Sequence, residues 1–484
     1  MKFKDLREFI AFLEDRGELR RISTTVSRDL EITELADRMV KSGGPALLFE
    51  NVEGSVVPVV IGLFGTHQRV AWALGVDNVE TITDRVRKLL GIAQGPPPGL
   101  MGKLRTAGDL IGLARSQPKI VGDGPCQEIV LEGEDVDLDL LPSLKCWPED
   151  GGRFITLPLV ISRDPDTGTR NVGIYRMQVY DRRTTGMHWQ THKVGAHHLR
   201  AGESGGLERL EVAVAIGGDP ATMWSGSMPL PPGIDELAVA GVIREDAVEL
   251  VRCKTVDLEV PAQAEFVLEG YVVPGETRVE GPFGDHTGYY SPAEDYPVFH
   301  ITALTHRRDP IYPTTVVGRP PAEDFFMGKA SERIMLPALQ TAVPEVVDMN
   351  MPAEGIFTNY VLVSIRKEYP GHARKVMYAL WGIGQMMLVK GIVVFDGHVD
   401  VQDLSEVAWR VGANVDPSRD LVIVEGAIDD LDHASTTSKF GSKIGIDATA
   451  KSRSEGMDRD WPPEIVMSEE IKNLVDGRWK EYGL

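Results

Sequence analysis

The stretch ITLPLVISRDPDTGTRNVGIYRMQVYD, residues 155–181, places two β-rich runs on either side of the turn-forming sequence DPDTG. Similar runs recur between residues 119 and 325, and turns such as GGDP separate them. Short β-rich runs joined by turns are typical of an antiparallel sheet or barrel. We therefore predict a central β domain over residues 119–325, with one helix inside it over residues 233–246.

The segments on either side of this β-rich stretch have a different pattern. Residues 5–16 form an amphipathic helical pattern, and the helix and strand signals that follow predict an α+β domain over residues 1–118. The proline run GPPPG at residues 95–99 is a candidate stiff connector. From residue 326 to residue 460 helices and strands alternate, which predicts an α/β domain with a partly parallel sheet. The predicted fold class is therefore α/β (α+β).

The last segment, residues 461–484, contains SEEIKNLVDGRWKEYGL, which predicts a helix capped by Ser468. The apolar residues of this helix form one stripe, and they are Ile471, Leu474, Val475, Trp479 and Tyr482. A terminal helix with a bulky apolar stripe needs a partner surface. The stripe can pack on its own chain or on a second subunit, and we predict an oligomerisation helix.

Composition indicates an ordinary globular protein of several domains. The chain has 484 residues, a hydrophobic fraction of 42% and a charged fraction of 25%. Its formal net charge of −21 argues against nucleic-acid binding and against charge-driven membrane binding. The three cysteines are scattered without a CxxC pair, and no apolar run has the length of a transmembrane segment or signal peptide core. We therefore expect a cytoplasmic protein.

The richest candidate site is EGPFGDHTGYY, residues 280–290, in which Glu280 and Asp285 flank a Gly-Pro-Phe-Gly turn. Such a turn holds the two carboxyl groups in a fixed relation. The stretch NVGIYRMQ, residues 171–178, adds Arg176, a side chain that keeps its proton. We expect one acid to pair with Arg176 and stay ionised, and the other to keep a raised pKa and transfer a proton. An ordinary hairpin with a surface ion pair is the alternative.

Two further sets of residues suggest ligand binding. Asn171, His192 and Glu236 offer a mixed nitrogen and oxygen donor set that suits Mn²⁺ or Mg²⁺, although their spacing also fits ordinary polar residues. The stretch MHWQTHKVGAHH, residues 187–198, combines aromatic, cationic and small residues, as a flat cofactor with a phosphate requires. A polar loop with a structural histidine is the alternative for that stretch.

Several common enzyme motifs are absent from the sequence. The lysine- and glycine-containing string SKFGSKIGIDATAK, residues 438–451, lacks the order GxxxxGK[ST] of a P-loop. GxGxxG does not occur in the chain, and no GxSxG elbow is present, since the one match to that spacing, GESGG at residues 202–206, follows no predicted strand. A nucleotide-dependent kinase, a Rossmann dehydrogenase and a serine hydrolase with a nucleophile elbow are therefore unsupported.

Taken together, long stretches of the chain resemble the UbiD family of reversible (de)carboxylases. They run nearly from end to end and include LFGTHQRVA, CWPEDGG, NVGIYRMQ, EGPFGDHTGYY, YPTTVVGRPPAED and GSKIGIDATAK. Within the family the chain is most similar to the 4-hydroxy-3-polyprenylbenzoate decarboxylases of ubiquinone biosynthesis. The resemblance implies a small N-terminal α+β domain, a central flavin-reductase-like split β-barrel and a C-terminal α/β domain with a terminal helix.

The resemblance also implies a prenylated FMN cofactor, supplied by a flavin prenyltransferase and held through Mn²⁺ and K⁺. It assigns Asn171, His192 and Glu236 as metal ligands, and Arg176, Glu280 and Asp285 as the active site, with Asp285 as proton donor. The residues implied to contact the flavin are Ile174, Tyr175, Arg176, His188, Trp189, Gln190, Lys193, Val194 and Lys390. A homodimer or homohexamer is implied as well.

The second flavin stretch departs from the family pattern. It reads HWQTHKVGA where the ubiquinone enzymes resemble RWLSHRGGA, so that His188 and Lys193 replace arginines and Val194 replaces a glycine. A lysine neutralises a phosphate without the bidentate fork of arginine. This departure affects the expected identity of the substrate more than the expected class of reaction.

The expected reaction is reversible, non-oxidative decarboxylation of an aromatic carboxylic acid, with the flavin as the electron sink. The expected substrate is a 4-hydroxy-3-polyprenylbenzoate of quinone synthesis, and the alternative is a small aromatic or heteroaromatic acid outside that pathway. An ordinary flavin oxidoreductase and a non-enzymatic subunit of a carboxylase complex are the rival classes. NAD(P)H-dependent bleaching of the flavin would support the first rival, and activity of the purified chain with its cofactor alone would eliminate the second.

Overall fold

The structure is a computed structural model that describes residues 1–93, 112–230 and 233–483. It is a mixed α/β fold, as the sequence predicts. The connector predicted at residues 95–99 lies outside the described residues.

The amino-terminal region packs helices on a short sheet. Its elements are α1 (Leu6–Asp15), β1 (Leu19–Ile22), α2 (Glu31–Lys41), β2 (Ala46–Phe49), β3 (Val59–Ile61), α3 (His67–Ala73) and α4 (Glu80–Ala93). Asp5 caps α1 by accepting hydrogen bonds from the backbone N–H groups of Arg7 and Glu8. The apolar face of α1 is buried, as its periodicity predicts.

The central region is dominated by strands. Its elements are β4 (Lys119–Ile120), β5 (Ile129–Glu132), β6 (Phe154–Ile155), β7 (Pro158–Arg163), β8 (Arg170–Gly173), β9 (Met177–Gln178), β10 (Thr184–Gly186), α5 (Val194–Ser204), β11 (Leu210–Ile216), α6 (Pro220–Ser225), α7 (Glu236–Arg244), β12 (Glu249–Arg252), β13 (Glu259–Pro261), β14 (Phe266–Glu280), β15 (Phe283–Gly284), β16 (Tyr290–Ser291), β17 (Glu294–His306) and β18 (Tyr312–Thr314).

The main sheet of this region has the order β10-β17-β14-β11-β7-β8, and β5 adds to β17. All of its ladders are antiparallel, and the path is open because no ladder joins β10 to β8 among the described residues. The long strands β14 and β17 form the centre of the sheet, and the ladder continues to the pair Glu280 and Glu294. The predicted antiparallel sheet is confirmed, and the acid Glu280 lies at the very end of its longest strand.

Two of the central helices were not expected. The sequence predicts one helix, which corresponds to α7, whereas α5 and α6 are additional. The residues that α5 buries include Gly195, Ala196 and Gly202, which allow close approach but give little apolar periodicity. The prediction of a single helix is therefore wrong, because small residues replace the usual apolar stripe.

The carboxy-terminal region is an α/β layer. Its elements are α8 (Glu323–Ala342), β19 (Val346–Asn350), β20 (Tyr360–Ile365), α9 (His372–Trp381), β21 (Gly391–Asp396), α10 (Leu404–Asn414), α11 (Pro417–Asp420), β22 (Leu421–Ala427), β23 (Phe440–Asp447) and α12 (Glu469–Gly477). The sheet order is β19-β20-β21-β23-β22, and β20, β21 and β23 are parallel. The predicted partly parallel sheet is confirmed.

The amino-terminal and central regions share one four-stranded sheet. Strand β18, which follows the central strands in sequence, pairs with β3 in parallel and completes the order β1-β2-β3-β18. Glu323, the first residue of α8, accepts hydrogen bonds from the backbone N–H groups of Gly62 and Phe64. These contacts fix the amino-terminal region against the start of α8.

The terminal helix leaves its apolar stripe uncovered. Ser468 caps α12 as predicted, and the exposed fractions of Ile471, Leu474 and Trp479 are 39%, 50% and 49%. None of these three side chains is buried by the described part of the chain, so the stripe stays largely open to a partner surface. Among the described residues, none of the helices combines the length and the apolar composition that spanning a bilayer requires.

Candidate active site

Arg176 is the centre of a buried cluster of polar side chains. It lies between β8 and β9, and its Nε donates a hydrogen bond of 2.9 Å to Glu280 Oε1. Its Nη1 pairs with Asp285 Oδ2, and its Nη2 donates to Ser291 Oγ at 3.0 Å. The Phe283 ring lies 4.6 Å from the guanidinium carbon. One arginine therefore binds both acids of the EGPFGD turn, and the predicted association of Arg176, Glu280 and Asp285 is present in the structure.

Hydrogen bonds to residues outside the turn hold in place the turn that carries Glu280 and Asp285. Gly281 has a φ of +94°, which favours glycine, and its N–H donates to Gln178 Oε1 at 2.7 Å. Gly284 N–H donates to Asp150 Oδ1 at 2.8 Å, and the other oxygen of Asp150 accepts from Trp147 N–H. A side chain at Gly284 would collide with the Trp147 indole. These contacts hold Glu280 and Asp285 at a fixed separation.

Arg176 determines the ionisation of both acids. Burial disfavours the charged form of Glu280, but Arg176 and His188 outweigh burial and hold its pKa below the usual range. Burial also opposes the charge of Asp285, and Arg176 and His286 hold the pKa of that carboxyl well below the usual range. The expectation that one acid keeps a raised pKa is therefore wrong, because Arg176 has enough donors to pair with both acids.

His188 extends the cluster towards the predicted flavin stretch. Its Nδ1 lies 3.0 Å from Glu280 Oε1, and its ring packs on Tyr296 with the centroids 4.2 Å apart. His188 Nε2 and Glu280 Oε2 are buried and have no hydrogen-bond partner. Buried polar atoms in proteins are usually paired, so two unpaired atoms side by side leave room for the polar groups of a ligand.

The same pattern continues along the predicted flavin stretch. Trp189 Nε1 and His192 Nε2 are also buried without a partner. Together with His188 Nε2, three ring nitrogens in residues 188–192 therefore have no hydrogen-bond partner in the protein. Tyr175, predicted for the same cofactor, is buried, and its ring lies edge-on to Trp189 with the centroids 6.4 Å apart. The segment fits an aromatic ligand that offers polar atoms around its edge.

The end of this stretch suits a phosphate. Helix α5 begins at Val194, and Lys193 precedes it without a side-chain cap. An uncapped helix N-terminus presents free N–H groups and a partial positive charge to an anion.

Trp189 packs on Gly195, where any side chain would collide with the indole. Ile174 bonds through its backbone N–H to Gly226, and Gln190 through its carbonyl to Lys193 N–H. Lys193 and the start of α5 fit a phosphate, and the flavin contacts of Ile174 and Gln190 stay predictions.

The predicted metal ligands are only partly brought together. Asn171 Nδ2 lies 3.5 Å from the Tyr175 hydroxyl, and Glu236 Oε2 accepts from Val172 N–H at 2.9 Å. Asn171 and Glu236 therefore approach the same stretch of β8, and burial raises the pKa of Glu236 to about 7. Among the described residues, no hydrogen bond or ion pair joins His192 to Asn171 or Glu236. No cluster of three or more His, Cys, Asp or Glu side chains suited to a metal occurs among the described residues. The oxygen and imidazole donors nonetheless fit Mn²⁺ chemically.

Lys390, the last of the residues predicted to contact the flavin, forms an ion pair with a carboxylate of this chain. Its Nζ forms an ion pair of 2.8 Å with Asp432, which follows β22. Its predicted flavin contact stays a prediction.

The loop between β22 and β23 reaches the site from the carboxy-terminal region. Lys439 Nζ donates to Thr191 Oγ1 at 3.0 Å, next to the flavin stretch. His433 packs on Tyr289 with the ring centroids 4.0 Å apart. The carboxy-terminal region therefore contacts both the flavin stretch and the turn that carries the acids.

Sequence reasoning missed several residues of the site. Ser291 and His286 contact Arg176 and Asp285, and Gln178 and Asp150 brace the turn. Their only sequence signal was their position within the motifs EGPFGDHTGYY, NVGIYRMQ and CWPEDGG or directly after them.

Comparison with known proteins covers nearly the whole chain. Three family models match, described as the N-terminal, Rift-related and C-terminal domains of 3-octaprenyl-4-hydroxybenzoate carboxy-lyase, at residues 10–89, 119–320 and 325–448. An uncharacterized protein of Archaeoglobus fulgidus is 52% identical over 482 residues, covering 99% of each chain. One of Aquifex aeolicus is 51% identical over 486 residues, covering 100% of this chain and 99% of the other.

Solved structures give the same result. The UbiD-class enzyme HmfF of Pelotomaculum thermopropionicum, in complex with FMN, is 33% identical with a TM-score of 0.79, covering 98% of this chain and 99% of that one. The vanillic acid decarboxylase of Sedimentibacter hydroxybenzoicus is 27% identical. Its closed form gives a TM-score of 0.86, covering 100% of this chain and 99% of that one, and its open form gives 0.77 with full coverage of both. The chain belongs to the UbiD family of carboxy-lyases.

Proposed function

We propose that this enzyme uses prenylated FMN to remove CO₂ reversibly from an aromatic carboxylic acid. One observation carries the proposal: a buried arginine clamps two acids beside a segment with three unpaired ring nitrogens. Such a segment needs a ligand to satisfy it, and the adjacent arginine provides a binding group for a carboxylate. FMN and prenylated FMN occur in two HmfF structures, 33% and 32% identical to this chain, which supports the choice of cofactor.

The cofactor would lie along the flavin stretch, with its phosphate at the start of α5. Lys193 and the free N–H groups of α5 would hold the phosphate, and His188 and Trp189 would contact the ring system. When bound, prenylated FMN supplies an electron sink for the bond pair that CO₂ leaves behind. Mn²⁺, held by Asn171, His192 and Glu236, and K⁺ would neutralise the remaining phosphate charge.

Arg176 would orient the substrate carboxylate. Its single positive charge is already shared by Glu280 and Asp285, so a third carboxylate would compete with Asp285 for the guanidinium. Losing that partner removes the strongest force that keeps Asp285 ionised, and the pKa of Asp285 would then rise. Asp285 is therefore proposed to accept a proton when substrate binds and to deliver it to the carbon that CO₂ has left.

The substrate is proposed to be a 4-hydroxy-3-polyprenylbenzoate of quinone synthesis, which the names of the three family models support. A small aromatic or heteroaromatic acid is the second candidate. It is supported by the vanillic acid decarboxylase, whose closed form matches with a TM-score of 0.86.

The terminal helix is proposed to dock on a second subunit in a homodimer or homohexamer. Its apolar stripe is exposed, and the neighbouring residues Ile465, Val466 and Met467 are exposed as well. An HmfF variant described as an evolved dimeric form covers 97% of this chain, which supports a dimer as the smallest assembly. A flavin prenyltransferase as cofactor supplier and a cytoplasmic location also stay proposals.

The test uses the full chain co-expressed with a flavin prenyltransferase and purified under nitrogen with Mn²⁺ and K⁺. The mass of the released cofactor is measured, and CO₂ release is assayed on aromatic acids with and without prenyl tails. Prenylated FMN and turnover of a prenylated 4-hydroxybenzoate are expected. Turnover of tail-free acids alone would overturn the quinone pathway, and the absence of any flavin would overturn the proposed function.

A further inference from the structure

His286 follows Asp285 directly and contacts it twice. The backbone N–H of His286 donates to Asp285 Oδ1 at 2.7 Å, and His286 Nδ1 lies 3.0 Å from the same oxygen. The other oxygen of Asp285 is bound by Arg176. Asp285 is therefore held between two nitrogen donors on opposite sides.

The second nitrogen of His286 is also paired. His286 Nε2 lies 3.3 Å from Thr358 Oγ1, and the Thr358 hydroxyl donates its hydrogen to the carbonyl of Ile356 at 2.9 Å. In that arrangement the hydroxyl oxygen accepts from Nε2. With Asp285 accepting from Nδ1, the two contacts match a protonated imidazolium that donates from both ring nitrogens.

Charges around His286 favour this form. Burial alone would lower its pKa, but Asp285, together with Asp324 at the start of α8 and Asp429 after β22, raises it to about 9. The uncharged neighbour Phe357 packs on the ring with the centroids 5.5 Å apart. The His286 side chain is 17% exposed, against 10% for Asp285, so the imidazole has the more direct access to water.

We propose that His286 is a positioning residue that both orients Asp285 and returns a proton to it in each turnover, an inference that rests on the proposed function. Asp285 is ionised beside Arg176 and has no proton of its own to give. The Nδ1–H bond of His286 breaks as the O–H bond of Asp285 forms. The O–H bond then breaks as the electron pair left by CO₂ forms the new C–H bond. Neutral His286 takes its replacement proton from water, so the cycle consumes one proton for each CO₂ released.

The first test needs neither cofactor nor substrate. Histidine side-chain NMR resonances are followed from pH 5 to pH 10.5, and His286 is assigned by the resonance that His286→Asn removes. A midpoint near 9 is expected, falling towards 6.5 in Asp285→Asn. A midpoint at or below 6.5 in the wild type would overturn the proposal.

The second test separates proton supply from simple orientation. The amide of His286→Asn can still donate to Asp285 at the position of Nδ1, but it has no proton to release. We expect kcat to fall at least tenfold, KM to stay within twofold, and the alkaline limb near pH 9 to disappear. His300→Gln is the matched control, since His300 bonds Glu276 at 2.8 Å away from the site, and it should leave the rate unchanged.

The two proposals fail in different ways. If the wild type releases no CO₂ from any acid, the proposed function has failed. If the wild type releases CO₂ and His286→Asn keeps its kcat and its alkaline limb, the role of His286 has failed while the proposed function stands.

Discussion

Two of the buried cation–carboxylate clusters in the described structure, those of Lys451 and Arg176, differ in their unpaired polar atoms. Lys451, near the end of β23, donates to Asp447 Oδ1 at 3.1 Å and to the carbonyls of Asp447 and Thr449 at 3.0 and 2.6 Å. A second carboxylate, Asp420, lies 3.6 Å away. In the described structure no buried side-chain oxygen or nitrogen of these residues lacks a partner.

The Arg176 cluster is equally buried but incomplete. Glu280 Oε2 and His188 Nε2 have no partner, although the surrounding acids and Arg176 are well bonded. Buried charge alone therefore does not distinguish a site from a structural cluster, since both clusters share it. Unpaired atoms also occur in other buried clusters, such as Glu265 Oε1 beside Arg307, and what distinguishes the Arg176 cluster is that its unpaired atoms continue along residues 188–192.

Removing the cation from each cluster should give the largest contrast. Arg176→Met is expected to lower kcat at least about 10³-fold, because it removes the group that binds the substrate carboxylate. Lys451→Met should leave the kcat of the folded enzyme within twofold while lowering the free energy of unfolding by about 3–5 kcal/mol. Steady-state kinetics and urea unfolding measure the two effects. A large loss of kcat in Lys451→Met, or retained turnover in Arg176→Met, would contradict the distinction.

The pH dependence of stability should sharpen the comparison next. The folded pKa of His286, about 9, lies above the ordinary value of 6.5. Its contribution to stability is therefore complete below pH 6.5 and is lost as pH rises through 9. Urea unfolding of wild type and His286→Asn should show a difference in unfolding free energy that shrinks between pH 6.5 and pH 9.5. A difference that stays constant over this range would show that His286 does not titrate as expected.

Removal of a single hydroxyl group from each cluster should give the smallest effects. Ser291 accepts from Arg176, and Thr449 Oγ1 donates to Asp447 Oδ1 at 2.6 Å. Ser291→Ala and Thr449→Val should each lower the free energy of unfolding by about 1 kcal/mol. Only Ser291→Ala is expected to lower kcat, by a few-fold, because Arg176 becomes less firmly oriented. Equal kinetic effects of the two changes would remove the functional distinction between the clusters.

Much of this arrangement could be predicted from sequence. The alternating β-rich runs predicted the antiparallel sheet, and the EGPFGDHTGYY and NVGIYRMQ motifs predicted the meeting of Arg176 with Glu280 and Asp285. These features depend on local patterns and on long, specific motifs, which a sequence displays directly.

The remainder depends on contacts that no local pattern encodes. Helix α5 was missed because it buries small residues, so its apolar periodicity is weak. The raised pKa expected for one of the two acids is wrong, because pairing with Arg176 outweighs burial at both Glu280 and Asp285 in the folded geometry. The contact of Thr358 with His286 joins residues 72 positions apart, and spacing gives no hint of it.

The most direct test of the central claim is CO₂ release by Asp285→Asn, with flavin content measured on the same sample. Asparagine keeps the shape of the side chain and cannot carry a proton to carbon. We expect the variant to bind prenylated FMN as fully as the wild type and to release no CO₂ above background. Full flavin content with wild-type turnover would contradict the claim that the Arg176 cluster delivers the proton of the reaction.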